Sequence, residues 1–228
     1  MNLAESDLVA AARRPFHYRL YSWIFRNLSR IYFRLRVEGR EHVPRIGPAV
    51  LASNHISFLD PPLIGCVLER SIHFLARKSL FSAPVLGALI RSLRAVPVDR
   101  DGGGGAGLKA ILDRLADGAA IVLFPEGTRS ADGQIMPARA GIGLTVIKST
   151  APVVPVRIVG AFEAWGRHHR FPRPRPITLI FGAPLSFEAL RAEAATCDKA
   201  RLKEIYQQVA DEIMEAIRNL EPAGRKGS

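Results

Sequence analysis

Between residues 16 and 35, apolar side chains return every three or four positions: Phe16, Leu20, Ile24, Leu28, Ile31 and Leu35. That spacing is the helical period, and it predicts one helix through "PFHYRLYSWIFRNLSRIYFRLR". Arg19, Arg26, Arg30 and Arg34 fall together on another side of the same helix, and Tyr21, Trp23, Phe25, Tyr32 and Phe33 widen the apolar arc. An arginine stripe beside an aromatic-rich apolar face suits an anionic bilayer interface. Residues 1–14 read as a loose or weakly helical lead.

After Gly39 the pattern changes to short apolar runs alternating with helical periods. Strands are predicted at 48–54, 71–77, 94–100, 119–124, 151–160 and 176–185. Helices are predicted at 61–69, 79–92, 106–116, 138–149 and from 186 onward. Such alternation defines an α/β fold, with a mostly parallel or mixed central sheet flanked by helices and an N-terminal amphipathic basic helix. Three regions follow: an interface segment at 1–36, a main domain at 37–220 and a flexible tail at 221–228. The nearly uncharged run 79–90 is too short to cross a bilayer as a helix. The glycine run 102–105 lacks both GxGxxG spacing and the Lys-Ser/Thr of a P-loop, so it reads as a strand-to-helix link.

Composition narrows the chemistry. The chain has 228 residues, 48% of them apolar, which is one domain's worth of sequence with a sizeable core. Its net charge of +11 calls for anionic partners. No nucleic-acid module accompanies that charge. The two cysteines, Cys66 and Cys197, form no CxxC or Cys/His framework, so neither a disulfide scaffold nor a zinc site is expected. Glu5 and Asp7 interrupt any secretory h-region, which points to a reducing cytoplasmic setting. No GxSxG elbow occurs, which counts against a lipase-type hydrolase.

Candidate chemistry collects where strands end. In "NHISFLDPP" (54–62), His55 directly follows a buried strand, and Asp60 precedes Pro61. On one continuous helix the two would stand roughly 140° apart. A residue before proline avoids the α conformation, so a helix starting at Pro61 with Asp60 near its N-cap leaves 55–60 free to fold back. The carboxylate could then hold one imidazole nitrogen and leave the other as a base. Spacing alone leaves two other readings open: Asp60 as a plain helix cap, and His55 as a satisfied loop histidine. A second loop, "FPEGTRS" (124–130), offers a carboxylate, a glycine, a hydroxyl and the Arg129 fork. A third strand end places Arg100 in "VPVDRD" (96–101), and "VVPV" (153–156) supplies a fourth apolar strand. Cys66 reads as core, and the basic stretch 165–175, with His168 and His169, as a solvated loop that could touch lipid or coenzyme A phosphates.

These blocks resemble the glycerolipid acyltransferases. "NHISFLD" is similar to their NHxxxxD motif, and "FPEGTRS" matches their third block residue for residue. "VPVDRD" and "VVPV" resemble the second and fourth blocks, in order. The resemblance spans about residues 15–220, including the basic lead ending in "RVEG", and is closest to 1-acyl-sn-glycerol-3-phosphate acyltransferases. One departure is "MPARAGIG" (136–143), where relatives often carry Lys-Lys-Gly or Lys-x-Gly; Arg139 stands there instead.

The resemblance implies a set of roles. An acyl group moves from a thioester, acyl-CoA or acyl carrier protein, to the free hydroxyl of lysophosphatidic acid, with no cofactor or metal. His55 is the implied base and Asp60 its partner. Arg100, Glu126, Gly127, Thr128 and Arg129 form the acceptor site. Backbone N–H groups at the helix start after Asp60 are oxyanion candidates, and Leu80 to Ile90 part of an acyl channel. The implied location is the cytoplasmic face of the cell membrane, with no nucleic-acid partner. Alternatives are an acyltransferase for another lysophospholipid or a lyso-aminolipid, and an inactive lipid-binding membrane protein.

Overall fold

A computed structural model describes residues 5–98 and 105–224, apart from the side chains of 85, 86 and 89. Its strands are β1 Arg36–Glu38, β2 Ala49–Ser53, β3 Ile72–Arg77, β4 Ala95–Val98, β5 Ala120–Leu123, β6 Val153–Val159 and β7 Thr178–Phe181. They form one sheet in the order β1-β7-β6-β2-β5-β3-β4. All neighbours run parallel except β6 and β7, so the sheet is mixed, as the alternation predicted. The helices are α1 Glu5–Ala12, α2 Phe16–Tyr32, α3 Asp60–Val67, α4 Pro84–Ser92, α5 Gly105–Ala116, α6 Gly141–Lys148, α7 Ala161–Trp165, α8 Glu188–Ala194 and α9 Lys199–Asn219.

The central strands β2 and β5 are buried along their whole length. Strands covered on both faces read as continuous apolar runs, which is why "AVLAS" and "AIVL" do not alternate. Alternate residues still feed two cores. Leu51 and Val122 pack with Leu63, Ile64 and Val67 of α3 on one face. Val50 and Ile121 pack with Ile111 of α5, Val146 of α6, and Ile205 and Ile213 of α9 on the other.

Helix α2 turns its polar and small side inward. Tyr18, Ser22 and Ser29 are buried, and Phe25 packs on the first core. Gly65 of α3 leaves room for the Tyr18 hydroxyl. The predicted apolar stripe therefore faces outward: Phe16 is 78% exposed and Ile31 82%, with Leu20, Trp23, Ile24 and Leu28 also exposed.

Several boundaries differ from expectation. The helix expected over 79–92 is broken. Lys78–Ser82 form a 3-10 turn, Ala83 is extended ahead of Pro84, and α4 begins there, as a pre-proline residue requires. The helix expected from 138 starts at Gly141. The strand expected over 176–185 pairs only at Thr178–Phe181, with Leu185 returning for one bridge to Val153. Two short elements, β1 and α7, carry no periodicity long enough to read from sequence. The glycine link at 102–104 and Arg100 lie outside the described residues. Among the described residues, no helix is long and apolar enough to cross a membrane.

Candidate active site

The catalytic candidates sit at the carboxyl ends of β2 and β5, which are paired neighbours. Ligands bind there in open α/β sheets. The β2 ladder ends at Ser53, yet the pairing continues through a side chain. Asn54 Oδ1 accepts the Ile158 N–H at 2.8 Å, and Asn54 Nδ2 donates to the Ile158 carbonyl at 3.0 Å. This clamp fixes the chain one residue before His55.

The loop then folds back as the sequence allowed. His55 Nδ1 lies 2.8 Å from Asp60 Oδ2. The same oxygen accepts the backbone N–H groups of Ile56 and Ser57, each at 2.8 Å. An oxygen already accepting two N–H groups is an acceptor toward the imidazole too, so the proton resides on Nδ1 and Nε2 carries the free lone pair. The Asp60 side chain is fully buried, and that of His55 keeps 16% exposure. Burial pushes the Asp60 carboxyl up, while His55 and the two N–H groups pull it down. The His55 ring stacks on Phe124, with centroids 3.9 Å apart and planes 17° apart.

The cap reading of Asp60 is overturned. The helix begins at Asp60 itself, after Leu59, and the carboxylate reaches back into the loop instead of forward along the helix. Pro61 and Pro62 have no N–H to cap. The same prolines remove the oxyanion donors expected after Asp60, and the next N–H, from Leu63, is bonded to Leu59 O.

The second loop meets the first through Ser130 N–H, which donates to His55 O at 2.8 Å. Gly127 adopts φ +71°, a left-handed conformation natural to glycine. A Cβ there would lie 3.1 Å from Arg139 Cδ, so the missing side chain is what lets Arg139 fold across the turn. Arg129 takes another place: its guanidinium carbon stands 3.6 Å from the Phe58 ring centroid. Glu126 is buried, and neither of its oxygens has a hydrogen-bond partner of good geometry. Burial pushes its carboxyl up to about 7, against a smaller pull from the backbone N–H groups of His55 and Met136.

A cavity of about 910 Å³ opens beside these loops. His55, Gly127, Thr128 and Arg139 line it together with Leu75, Val98, Leu108, Ile111, Ile142 and Leu144. The structure thus brings His55, Gly127 and Thr128 to one cavity, with Asp60 behind His55. Glu126 and Arg129 do not line it. Of the described side chains of 80–90 none lines it, whereas Leu108 and Ile111 of α5 and Ile142 and Leu144 of α6 do. Sequence reading missed the roles of Asn54, Ser57 and Phe124. Ser57 Oγ donates to Trp165 O at 2.8 Å and accepts Leu59 N–H, bracing the loop from inside. Asn54 had a signal, since it opens the "NHISFLD" block; Ser57 and Phe124 had none apart from position.

The acyltransferase family model matches residues 34–159, more than half of the chain, and the chain belongs to that family. It is 33% identical over 152 residues to a chloroplast 1-acyl-sn-glycerol-3-phosphate acyltransferase of Arabidopsis thaliana, covering 65% of this chain and 42% of that protein. It is 30% identical over 142 residues to the lyso-ornithine lipid O-acyltransferase of Rhizobium meliloti, covering 60% and 48%. The crystal structure of a 1-acyl-sn-glycerophosphate acyltransferase from Thermotoga maritima superposes with a TM-score of 0.67 at 22% identity, over 90% of this chain and 80% of that one. The chain spans about half the length of several plant relatives, from 42% to 54%.

Proposed function

We propose that the protein transfers a fatty acyl group from a thioester to the free hydroxyl of 1-acyl-sn-glycerol-3-phosphate, giving phosphatidic acid. The observation that carries this reading is the 2.8 Å bond from His55 Nδ1 to the buried Asp60, with His55 lining a largely apolar cavity. Nε2 takes the hydroxyl proton as the oxygen attacks the thioester carbonyl. Asp60 steadies the imidazolium so formed. The tetrahedral intermediate collapses, the C–S bond breaks, and the thiolate recovers the proton from Nε2. The base returns to its starting state without an acyl-enzyme.

Arg139 and Thr128 bring a cation and a hydroxyl to the cavity, and they hold the acceptor phosphate or the developing oxyanion. Arg129, on Phe58, and Arg100 are the further cations of the acceptor side. Gly127 serves by letting Arg139 approach. Glu126 acts from behind, through the backbone of His55 and Met136, without touching the acceptor. The apolar wall from Leu75 to Leu144 takes the acyl chain, and the donor is acyl-CoA or acyl carrier protein. The outward apolar stripe of α2, flanked by arginines, supports peripheral attachment at the cytoplasmic membrane face. The Rhizobium likeness favours one second reading, the same chemistry on a lyso-aminolipid.

Thiol release from long-chain acyl-CoA or acyl carrier protein tests the proposal, with and without lysophosphatidic acid, beside His55→Ala. Acceptor-dependent release that vanishes in the variant is expected. Release only with a lyso-aminolipid transfers the activity to the second reading. No release with any acceptor from folded protein overturns both.

A further inference from the structure

The basic loop 166–176 follows the acyltransferase match and has no place in the chemistry above. Arg167, Arg170, Arg173 and Arg175 are all exposed on it, and so is Phe171, at 68%. No acidic residue occurs between Glu163 and Glu188. Among the described residues none of these four arginines joins an ion pair, whereas Arg114 and Arg201 on the surface do. A lone exposed phenylalanine needs no explanation. One flanked by four cations is different: Arg170 stands 5.5 Å from the ring centroid, yet among the described residues no carboxylate pairs with the charges, and the ring stays exposed.

The loop is also built to stay in place. Arg173 N–H donates to Ala164 O at 2.7 Å, and Trp165 Nε1 donates to His169 O at 3.1 Å. Two further sets of contacts fix its position. Tyr32, at the end of α2, donates its hydroxyl to Pro172 O at 3.1 Å, and Ile177 N–H donates to Phe33 O. The loop thus adjoins the α2 end that bears exposed Ile31. On the other side Trp165 receives Ser57 Oγ and lies 5.5 Å from Phe58, centroid to centroid, both in the catalytic loop.

We propose that loop 166–176 is a second contact with an anionic bilayer, continuous with the outward face of α2. Phe171 enters the interfacial region, and the four arginines meet lipid phosphates. The inference rests on the reading of α2 as a membrane-facing helix and extends it. A helix alone fixes one line on a surface. A helix and an adjoining loop fix a plane, and the catalytic loop is tethered to that plane through Trp165. The aromatic tip favours a bilayer over an acidic carrier protein, since carrier recognition by charge alone leaves Phe171 unused.

Sedimentation with phosphatidylcholine vesicles, with or without phosphatidylglycerol, tests it. The quadruple change Arg167→Gln, Arg170→Gln, Arg173→Gln, Arg175→Gln is expected to weaken binding to the phosphatidylglycerol vesicles about tenfold or more, and to leave binding to neutral vesicles unchanged. The matching lysine set restores binding and excludes a folding defect. Phe171→Ser weakens binding to both vesicle types about tenfold. Wild-type binding by the glutamine set overturns the proposal, and if that set instead loses turnover only with acyl carrier protein, the loop docks the carrier. Leu28→Ser with Ile31→Ser separates the underlying reading: unchanged binding by that variant sinks the α2 assignment while the loop result stands by itself.

Discussion

The Asn54 side chain and the Ile158 backbone pair as two strands would, with both amide groups of Asn54 engaged at 2.8 and 3.0 Å. Both partners are buried. Asn54→Ala therefore strands two buried backbone groups and is expected to cost roughly 2–4 kcal/mol of stability, readable in urea unfolding. Asn54→Asp keeps the acceptor for the Ile158 N–H but opposes the carbonyl with a carboxylate, so it does not rescue.

Asp60→Asn separates orientation from charge. One amide oxygen can still accept Nδ1–H, but the imidazolium loses its counter-charge. The turnover number is expected to fall by about 10²–10⁴ with the acceptor KM little changed. A decrease of less than about threefold in steady-state thiol release contradicts the assigned role.

Glu126 gives a pH signature. Its folded carboxyl titrates near 7 against an ordinary 4.5, so the native state holds its proton more tightly than the unfolded chain. The associated stability is fully present below 4.5, is lost as pH rises through 7, and is flat above. The change amounts to roughly 3 kcal/mol. Glu126→Gln is expected to remove that slope, seen by comparing denaturation midpoints of both proteins at pH 5 and pH 8. Parallel profiles for the two proteins rule it out.

Arg139→Ala removes the cation that lines the cavity beside Gly127. The expected result is a loss of about 10–100-fold in kcat/KM for the phosphate-bearing acceptor, carried mainly by KM. Gly127→Ala, which pushes on Arg139 Cδ, should reproduce part of that loss. Equal kinetics for Arg139→Ala and wild type would assign phosphate binding elsewhere.

Leu108→Trp fills part of the apolar wall contributed by α5. Long-chain thioesters should lose turnover while shorter ones keep it, read as a change in chain-length preference. The same substitution at Leu80, which does not line the cavity, should leave preference unaltered.

The layers of the fold were legible because β2 and β5 are apolar without interruption, and helices such as α5 and α9 hold their period. The His55–Asp60 contact was legible too, from the spacing that rules out one continuous helix, although the helix includes Asp60 and does not wait for Pro61. What sequence could not carry was burial and direction. Glu126 and Arg129 sit in the same short block as Gly127 and Thr128, yet only the latter two line the cavity, and a one-dimensional motif does not encode which way a turn points. The cavity's apolar lining is a related case: residues 79–90 are apolar, but Pro84 breaks the segment, and α5 and α6 were not read as reaching the cavity, which they do. The missing N–H groups of Pro61 and Pro62 were written in the sequence; that the next N–H, from Leu63, is spent on Leu59 O was not.

The six-residue span from His55 to Asp60 contains a proton acceptor, its counter-charge and the two N–H groups that hold the counter-charge. Neighbours hold that set only from outside, through Asn54 on Ile158, Ser130 N–H on His55 O and Ser57 Oγ on Trp165 O. The cavity's cation and its apolar wall come from separate segments far along the chain. On the proposed mechanism, such a division lets side chains of the cavity wall be exchanged while the His55–Asp60 contact stays in place.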